Sequence, residues 1–179
     1  AALNEAYGDI LGGLIEGKND AGKWLFAEDA DGVPWRDMVN TSTTGVADPG
    51  PSNFSQFDEN ADGHVNANIF DHAAYLMMHD SRTSAVSSQT WARIFYTSLY
   101  RLPTGATFQQ ARNAIIASAS VQGLRPDAQK AIAEAFDDVG ISTTPRVKIV
   151  LTRGATPSDL DSHLTPPPSI AGAARSHVS

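Results

Sequence analysis

The sequence contains no cysteine, and this absence excludes disulfide bonds, thiolate metal ligands and cysteine nucleophiles. Positive charge is scarce, since 13 Lys and Arg stand against 20 Asp and Glu and give a net charge of −7. Because the basic residues form no cluster, we expect no nucleic-acid partner. No run of about 18 apolar residues occurs either, so we expect no membrane partner.

The composition is otherwise that of a folded domain. The 179 residues are 41% hydrophobic and 18% charged, which suits one domain with a proper core. No G-x-S-x-G sequence is present, so serine hydrolysis has no support. The chain begins at Ala1 without a capping residue, and its helical pattern is under way by Leu3. We therefore expect it to be part of a longer polypeptide.

A stripe of acidic residues marks the first helix, which is predicted to end near Glu16. At about 100° per residue, Glu5, Asp9 and Glu16 fall within roughly 60° of one another. The opposite side is apolar and carries Leu3, Tyr7, Ile10, Leu11 and Leu14. No Lys or Arg lies in the stripe, so its carboxylates repel one another. The stripe is either a solvated acidic face or part of a metal site.

Apolar periodicity predicts four further helices, over about 65–78, 88–102, 107–120 and 126–139. Pro126 suits a helix start and Gly140 a helix stop. Residues 23–47 have no helical pattern, but their tryptophans indicate an ordered loop. These elements predict an all-α fold, a bundle of about five helices with one long ordered loop.

The character of the chain changes after residue 142. Residues 147–152 (VKIVLT) form a β-branched run that predicts a short strand. Residues 154–179 are rich in Pro, Ser and Ala, which is typical of a linker or tail. We therefore divide the chain into a helical domain over 1–142 and a segment with a short strand and a tail over 143–179.

An acidic loop, residues 58–64 (DENADGH), is the second candidate for chemistry. Its first half fits the calcium-loop pattern D-x-N-x-D-G, but Ile69 stands where that pattern requires a bidentate glutamate. Alternatively, His64 is functional: the carboxylate of Asp58 or Glu59 orients it, and it donates a hydrogen bond to a developing oxyanion. A third interpretation is a surface histidine in a polar turn.

Three further polar residues allow more than one role. Arg36 is a lone cation that either pairs with a carboxylate such as Asp37 or binds a peptide carbonyl with its five donors. His72 and His79 lie on the helix predicted over 65–78 or at its end. We expect both histidines to be partly buried or at the surface, and not to be metal ligands.

Several short segments carry a family resemblance. Residues 4–12 are NEAYGDILG, residues 63–66 are GHVN and residues 73–76 are AAYL. The first resembles the N-E-x-x-x-D segment of the thermolysin-like zinc metallopeptidases, also called the bacillolysin or M4 family. The other two resemble that family's G-V-H-x-N…K-A-A-Y-L segment. Further similarity lies in WRDM at 35–38, IFY at 94–96, TF at 107–108 and AFDDVG at 135–140. Together these segments cover about residues 1–142 in order.

The resemblance implies the C-terminal, helical half of a secreted zinc endopeptidase that hydrolyses peptide bonds with a zinc-activated water. It places Glu5 on the third zinc ligand, Asp9 on the acid that orients a zinc-bound histidine, and His64 on the residue that stabilises the oxyanion. It places Arg36 on the arginine of the substrate pocket. The implied partners are a peptide or protein substrate and an N-terminal half that carries H-E-x-x-H.

The H-E-x-x-H motif, which supplies the other two zinc ligands and the general base in the family, does not occur in this sequence. We therefore expect this chain alone to be inactive. The alternative is a non-catalytic helical domain, with a binding or structural role, that keeps only the fold.

A calcium site is also implied. Glu16 and Glu28 match acids that bind structural calcium in the family, but Lys23 and Leu25 stand where further acidic ligands are expected. We hypothesise that the ammonium of Lys23 replaces the calcium charge between the two glutamates.

Overall fold

The computed structural model of the protein describes residues 1–18, 21–142, 149–151 and 162–164. The chain divides into two units, Ala1–Ile141 and Ser142–Ser179. In the described part of the first unit there are six α-helices: α1 (Ala2–Glu16), α2 (Glu28–Asp31), α3 (Gly63–His79), α4 (Ser88–Leu99), α5 (Phe108–Val121) and α6 (Pro126–Asp138). The predicted all-α bundle is confirmed, and α2 is a single turn within the predicted loop. None of the helices that the structure describes is long and apolar enough to cross a bilayer.

Local sequence signals set the helix ends. Helix α1 ends at Gly17, which adopts the left-handed conformation with φ of 72°. Helix α5 begins with a capping box, in which the Thr107 and Gln110 side chains each accept a hydrogen bond from the other's backbone. Helix α6 begins at Pro126 and is followed by Gly140, with φ of 79°, as the sequence predicts.

Helix α3 lies at the centre of the bundle, with α1 and α6 packed against it. Its buried residues are Asn66, Ala67, Asn68, Ile69, Phe70, Asp71, Ala73, Ala74 and Met77, which occupy nearly every side of the helix. The Phe70 ring packs against Tyr7 of α1 and Phe136 of α6. Full burial of one such side chain contributes about 1.5–3 kcal/mol to folding. Apolar periodicity predicts only one buried face for this helix. It does not identify the polar residues that are buried on the other sides.

Helix α1 buries Tyr7, Ile10 and Leu14, as its apolar side predicts. The Tyr7 hydroxyl lies 2.7 Å from Ser98 Oγ of α4, which in turn donates to the Phe95 carbonyl oxygen at 2.6 Å. Because Ser98 donates its one proton to Phe95, the Tyr7 hydroxyl is the donor to Ser98. Burial raises the pKa of Tyr7 to about 12, so this hydroxyl stays protonated. This polar link fixes α1 against α4 within an apolar core.

The loop between α1 and α3 is ordered, as predicted. Strands β1 (Leu25–Phe26) and β2 (Arg36–Asp37) pair antiparallel, with Leu25 opposite Asp37. Trp24 is buried against Tyr75 of α3. The half-buried His72 ring pairs through Nδ1 with the Met38 carbonyl oxygen at 2.8 Å. These contacts hold the loop on α3 and thereby place Arg36 next to α1.

The second unit contains two short strands among its described residues. Strand β3 (Ile149–Leu151) pairs antiparallel with β4 (Ser162–Leu164), with Ile149 opposite Leu164. The strand predicted within 147–152 is therefore present. Residues 162–164, which lie in the predicted linker or tail, form β4, and the remainder of 154–179 lies outside the described residues.

Candidate functional site

Glu5 and His64 meet across the first turns of α1 and α3. Glu5 Oε2 lies 3.1 Å from His64 Nε2, and the two side chains are 37% and 43% exposed. The helices approach closely because residue 63 is a glycine: a Cβ there would lie 2.7 Å from Ala1 Cβ and 3.2 Å from the Ala2 nitrogen. The partial exposure leaves both functional groups open to a ligand.

The carboxylate that orients His64 belongs to Asp62. Its Oδ1 atom accepts the backbone N–H of His64 at 2.9 Å and lies 2.6 Å from ring nitrogen Nδ1. Asp62 is thus both the N-cap of α3 and the partner of the ring. The backbone hydrogen bond, and then the ring hydrogen bond, lower the pKa of Asp62. The prediction of Asp58 or Glu59 was wrong, because the N-cap conformation brings the residue nearest the helix start alongside the ring.

Asp58 instead organises the acidic loop. Its Oδ1 atom accepts the backbone N–H of Asn60 at 2.9 Å. Asn66 of α3 clamps the Asp58 backbone, donating to its carbonyl oxygen at 2.8 Å and accepting from its N–H at 3.2 Å. Among the described residues, the acidic groups close enough to hold a metal ion do not include this loop. The calcium-loop interpretation therefore gains no geometric support.

Asp9 lies one helical turn after Glu5 and is only 2% exposed. Arg36 of β2, itself 1% exposed, donates from Nε to Asp9 Oδ2 at 2.5 Å and from Nη2 to Oδ1 at 2.6 Å. This bidentate pair is the strong form of a charge-assisted hydrogen bond. Each ion makes burial of the other tolerable, because an unpaired buried charge costs several kcal/mol. Arg36, which lies in the loop between α1 and α3, thus supplies the positive charge that the acidic stripe of α1 lacks.

The enclosure of Arg36 bears on its predicted role in the substrate pocket. Its Nη1 atom lies 3.4 Å from Oδ2 of Asp48, whose side chain is 36% exposed. Its guanidinium carbon lies 4.8 Å from the centre of the Phe26 ring. Arg36 is therefore first of all the counter-ion of Asp9, and its contact with a substrate stays a prediction.

Asp71 of α3 adds a second carboxyl group to this buried region. It is 0% exposed, and neither of its carboxyl oxygens receives a hydrogen bond from a described residue. Burial, and secondly the neighbouring Asp9 carboxylate, raise the pKa of Asp71 well above its ordinary value, while Arg36 acts in the opposite direction. A proton on Asp71 turns it into a donor towards Asp9, so the neutral acid suits this site.

The predicted calcium acids, Glu16 and Glu28, do come together, and Asp29 joins them. Lys18 lies among the three carboxylates, with Nζ 3.1 Å from Glu16 Oε1, 2.7 Å from Asp29 Oδ2 and hydrogen-bonded to Glu28 Oε1. The hypothesis that Lys23 fills this place was wrong. The Lys23 ammonium instead lies 5.1 Å from the centre of the Trp24 ring, because the loop turns it towards α3.

Zinc, the metal that the resemblance implies near Glu5, needs three protein ligands at a catalytic site. Glu5 offers a partly exposed carboxylate, which suits one ligand position. His64 Nδ1 is already engaged by Asp62. Within the described part of the chain, no other pair of His, Asp or Glu side chains gathers with Glu5 to complete a metal site. The donors that the structure describes around Glu5 thus fit one ligand position of a catalytic zinc site.

Some of these residues had a signal in the sequence and others did not. Asp62 lies a few residues before the start of the helix predicted over about 65–78, and aspartate is a preferred N-cap residue. Asp71 and Asn66 are polar residues on a helix whose burial only the packing reveals. Lys18 follows the helix stop Gly17, but which acids it reaches depends on the path of the loop.

The first unit matches a known domain. The family model described as "Thermolysin metallopeptidase, alpha-helical domain" matches residues 1–141. Bacillolysin of Bacillus caldolyticus and thermolysin of Alicyclobacillus acidocaldarius are each 27% identical to this chain over 153 residues. The gelatinase of Enterococcus faecalis is 26% identical over 160 residues.

These alignments cover most of this chain but a small part of the relatives. They span 78% of this chain for bacillolysin and thermolysin and 83% for gelatinase. The corresponding shares of the relatives are 28%, 28% and 30%, so the chain spans less than a third of their length. The family model, in contrast, matches the whole of the first unit. The chain therefore belongs to the thermolysin metallopeptidase family and contains its α-helical domain.

Proposed function

We propose that this chain is the helical half of a secreted zinc endopeptidase, in which Glu5 is a zinc ligand and His64 stabilises the oxyanion formed during peptide hydrolysis. The observation that carries the proposal is the 3.1 Å approach of His64 Nε2 to Glu5 Oε2, in a chain of this family. The substrate is a peptide or protein, and the missing ligands belong to an N-terminal half that carries H-E-x-x-H.

His64 has the arrangement that an oxyanion donor needs. In the doubly protonated ring, Asp62 accepts from Nδ1, and the N–H at Nε2 lies on the side of Glu5, 3.1 Å from its Oε2 atom. Because Nε2 lies beside the Glu5 carboxylate, an anionic oxygen held near Glu5 is within its reach. A fixed donor aimed at developing charge lowers the barrier more than a mobile one does, since it needs no reorganisation during the reaction.

Zinc held by three protein ligands lowers the pKa of a bound water to about 7 and polarises a carbonyl group. Glu5 contributes one carboxylate to that ligand set. Asp9 orients a histidine ligand from the N-terminal half, and Arg36 fixes the plane of Asp9 through hydrogen bonds of 2.5 and 2.6 Å. Partners that orient a ligand histidine typically change metal affinity or activity by about 10–100-fold when removed.

The alternative is a non-catalytic helical domain. It is supported by the single candidate zinc ligand among the described residues. The sequence of the longer gene separates the two proposals. An H-E-x-x-H motif within a few tens of residues before Ala1 supports the enzyme, and a gene without the motif supports the alternative.

Replacement of Glu5 tests the proposal directly in the full-length protein. We expect Glu5→Gln to lose bound zinc and casein hydrolysis together, because the amide is a poorer zinc ligand than the carboxylate. Glu59→Gln is the matched control, since Glu59 is an exposed acid of the loop near His64. Normal zinc content and normal hydrolysis in Glu5→Gln would reject the ligand assignment.

A further inference from the structure

The cluster of Glu16, Glu28, Asp29 and Lys18, called the α1–α2 joint below, connects the end of α1 with the start of α2. One carboxylate oxygen of each acid lies within 4.8 Å of the others, a spacing at which three oxygens can hold one metal ion. The Lys18 ammonium contacts all three carboxylates. The joint therefore has the acids of a cation site together with an internal cation.

We propose that Lys18 takes the place of a structural divalent cation at the α1–α2 joint, so that this part of the fold does not require calcium. An ammonium carries three N–H donors, and the joint presents three carboxylates to receive them. The inference does not depend on the proposed peptidase activity, because cation binding and unfolding are its readouts.

Calcium and Lys18 exclude each other at this place. Calcium binds carboxylate oxygens at about 2.3–2.6 Å, so an ion shared by the three acids needs the space between them. Lys18 Nζ fills that space, 3.1 Å from Glu16 and 2.7 Å from Asp29. A calcium ion can bind all three acids only if Lys18 leaves and gives up its ion pairs.

The electrostatics favour the internal cation. Glu28 is the most enclosed acid of the joint, with 16% of its side chain exposed, and an unpaired charge there would be costly. The hydrogen bonds that Lys18 donates to Asp29 and Glu28 raise the pKa of its ammonium group, so it stays charged. Three carboxylates and one ammonium leave a net charge of −2, which water screens because Asp29 is 76% exposed.

The backbone explains why Lys18 and not Lys23 holds this position. Gly17 ends α1 with φ of 72°, and its N–H binds the Gly13 carbonyl oxygen at 3.3 Å. This left-handed turn reverses the chain directly after Glu16, so the next side chain lies back over the helix end. Lys23 lies beyond the turn and packs on Trp24.

Calcium stoichiometry of the full-length protein, measured by isothermal titration, tests the inference. We expect Lys18→Met to bind one more calcium ion than the wild type, because methionine keeps the side-chain length and removes the charge. Its melting temperature should be lower than that of the wild type in EDTA and should rise when calcium is added. Lys130→Met is the matched control, since Lys130 is a 71% exposed lysine paired with Glu134, and we expect it to match the wild type in both measurements.

Glu28→Gln in the wild-type background tests whether Lys18 replaces calcium even if Lys18→Met does not fold. We expect this change to leave the calcium stoichiometry of the wild type unaltered, and to abolish the additional ion of Lys18→Met in the double variant. Loss of one calcium ion from the wild type on Glu28→Gln would overturn the inference, because it would show that calcium displaces Lys18. A folded Lys18→Met protein with no additional calcium would overturn it as well.

Discussion

At the residue scale, one oxygen atom, Asp62 Oδ1, makes two contacts in the candidate site. Asp62 Oδ1 accepts the backbone N–H of His64 in the first turn of α3 and also lies 2.6 Å from Nδ1 of the His64 ring. The start of the helix and the orientation of the ring therefore depend on the same side chain. Glu5 contacts the other ring nitrogen, so both edges of the imidazole face carboxylates.

Asp62 variants separate these two contacts. We predict that Asp62→Ala destabilises the protein by about 1 kcal/mol through loss of the N-cap. It should also lower kcat by roughly 10–100-fold, as loss of an orienting partner does. Asp62→Asn keeps an N-cap oxygen, so it should lower kcat with little effect on stability. Urea unfolding and casein kinetics on the full-length protein measure both quantities.

Glu59→Ala is the control for these variants, since Glu59 is one of the two exposed acids, with Asp58, that the sequence offers as the orienting group. Its kcat and stability should stay close to those of the wild type. A larger loss of kcat in Glu59→Ala than in Asp62→Ala would assign the orienting role to Glu59 after all.

The raised pKa of Asp71 predicts that the stability of the folded protein depends on pH. Its pKa is raised in the folded protein, so the folded state binds the proton more tightly than the unfolded state does. The stabilising effect of that proton is complete below the unfolded pKa, near 3.8, and is lost as the pH rises through the folded value. Asp71→Asn keeps a donor towards Asp9 without a titrating group. We therefore predict that its stability relative to the wild type increases from pH 4 towards neutral pH.

Urea unfolding of Asp71→Asn and the wild type across this pH range measures the effect. Asp37→Asn is a suitable control, because Asp37 is a half-buried acid of β2 that accepts two backbone N–H groups. A stability difference between Asp71→Asn and the wild type that does not change with pH would show that Asp71 is ionised in the folded state.

At the element scale, the site depends on how closely the first turns of α1 and α3 approach. Gly63 sets this distance, because any Cβ at that position would meet Ala1 and Ala2. We predict that Gly63→Ala separates the two turns and costs about 1–3 kcal/mol, the usual effect of overpacking. The longer distance between Glu5 and His64 should lower kcat in the full-length enzyme.

Gly45→Ala provides the comparison, since a Cβ at Gly45 would make an ordinary contact at 3.8 Å with the Thr43 side chain. Stability and kcat of this variant should remain near those of the wild type. Equal behaviour of Gly63→Ala and Gly45→Ala would show that the approach of the two helices does not position the site.

Helix α3 shows which features of an element can be predicted from sequence and which cannot. Its existence and approximate ends follow from apolar periodicity and from the turn before it. Its buried polar residues do not, because their partners are distant in sequence. Asn68, for example, donates to the Asp48 carbonyl oxygen 20 residues earlier, and the neighbour of Asp71 is Asp9 on α1.

At the scale of the whole molecule, the family and the helical architecture could be predicted because they depend on many local signals spread over residues 1–142. The pairing of charges could not. The resemblance assigns Glu5 and His64 to one site. The sequence assigns the cation between Glu16 and Glu28 to Lys23, but the structure has Lys18 there. It assigns the partner of His64 to Asp58 or Glu59, but the structure has Asp62 there. Both errors concern distances that the loop path and the N-cap geometry decide.

The chain also spans less than a third of the length of its relatives. The described residues supply one candidate zinc ligand and one candidate oxyanion donor, so the proposed catalysis depends on the proposed N-terminal half. A loss of activity in a variant is therefore informative only when the metal content of the same preparation is known.

The most direct test of the proposed active centre is the kcat of full-length His64→Gln at measured zinc content. His64 is proposed to contact the transition state and not the metal, so zinc should remain bound in full. Loss of one oxyanion donor typically lowers kcat by about 10²–10³-fold, and we predict a fall of that size with little change in KM. An unchanged kcat, or a loss of zinc that accounts for the fall, would contradict the role assigned to His64.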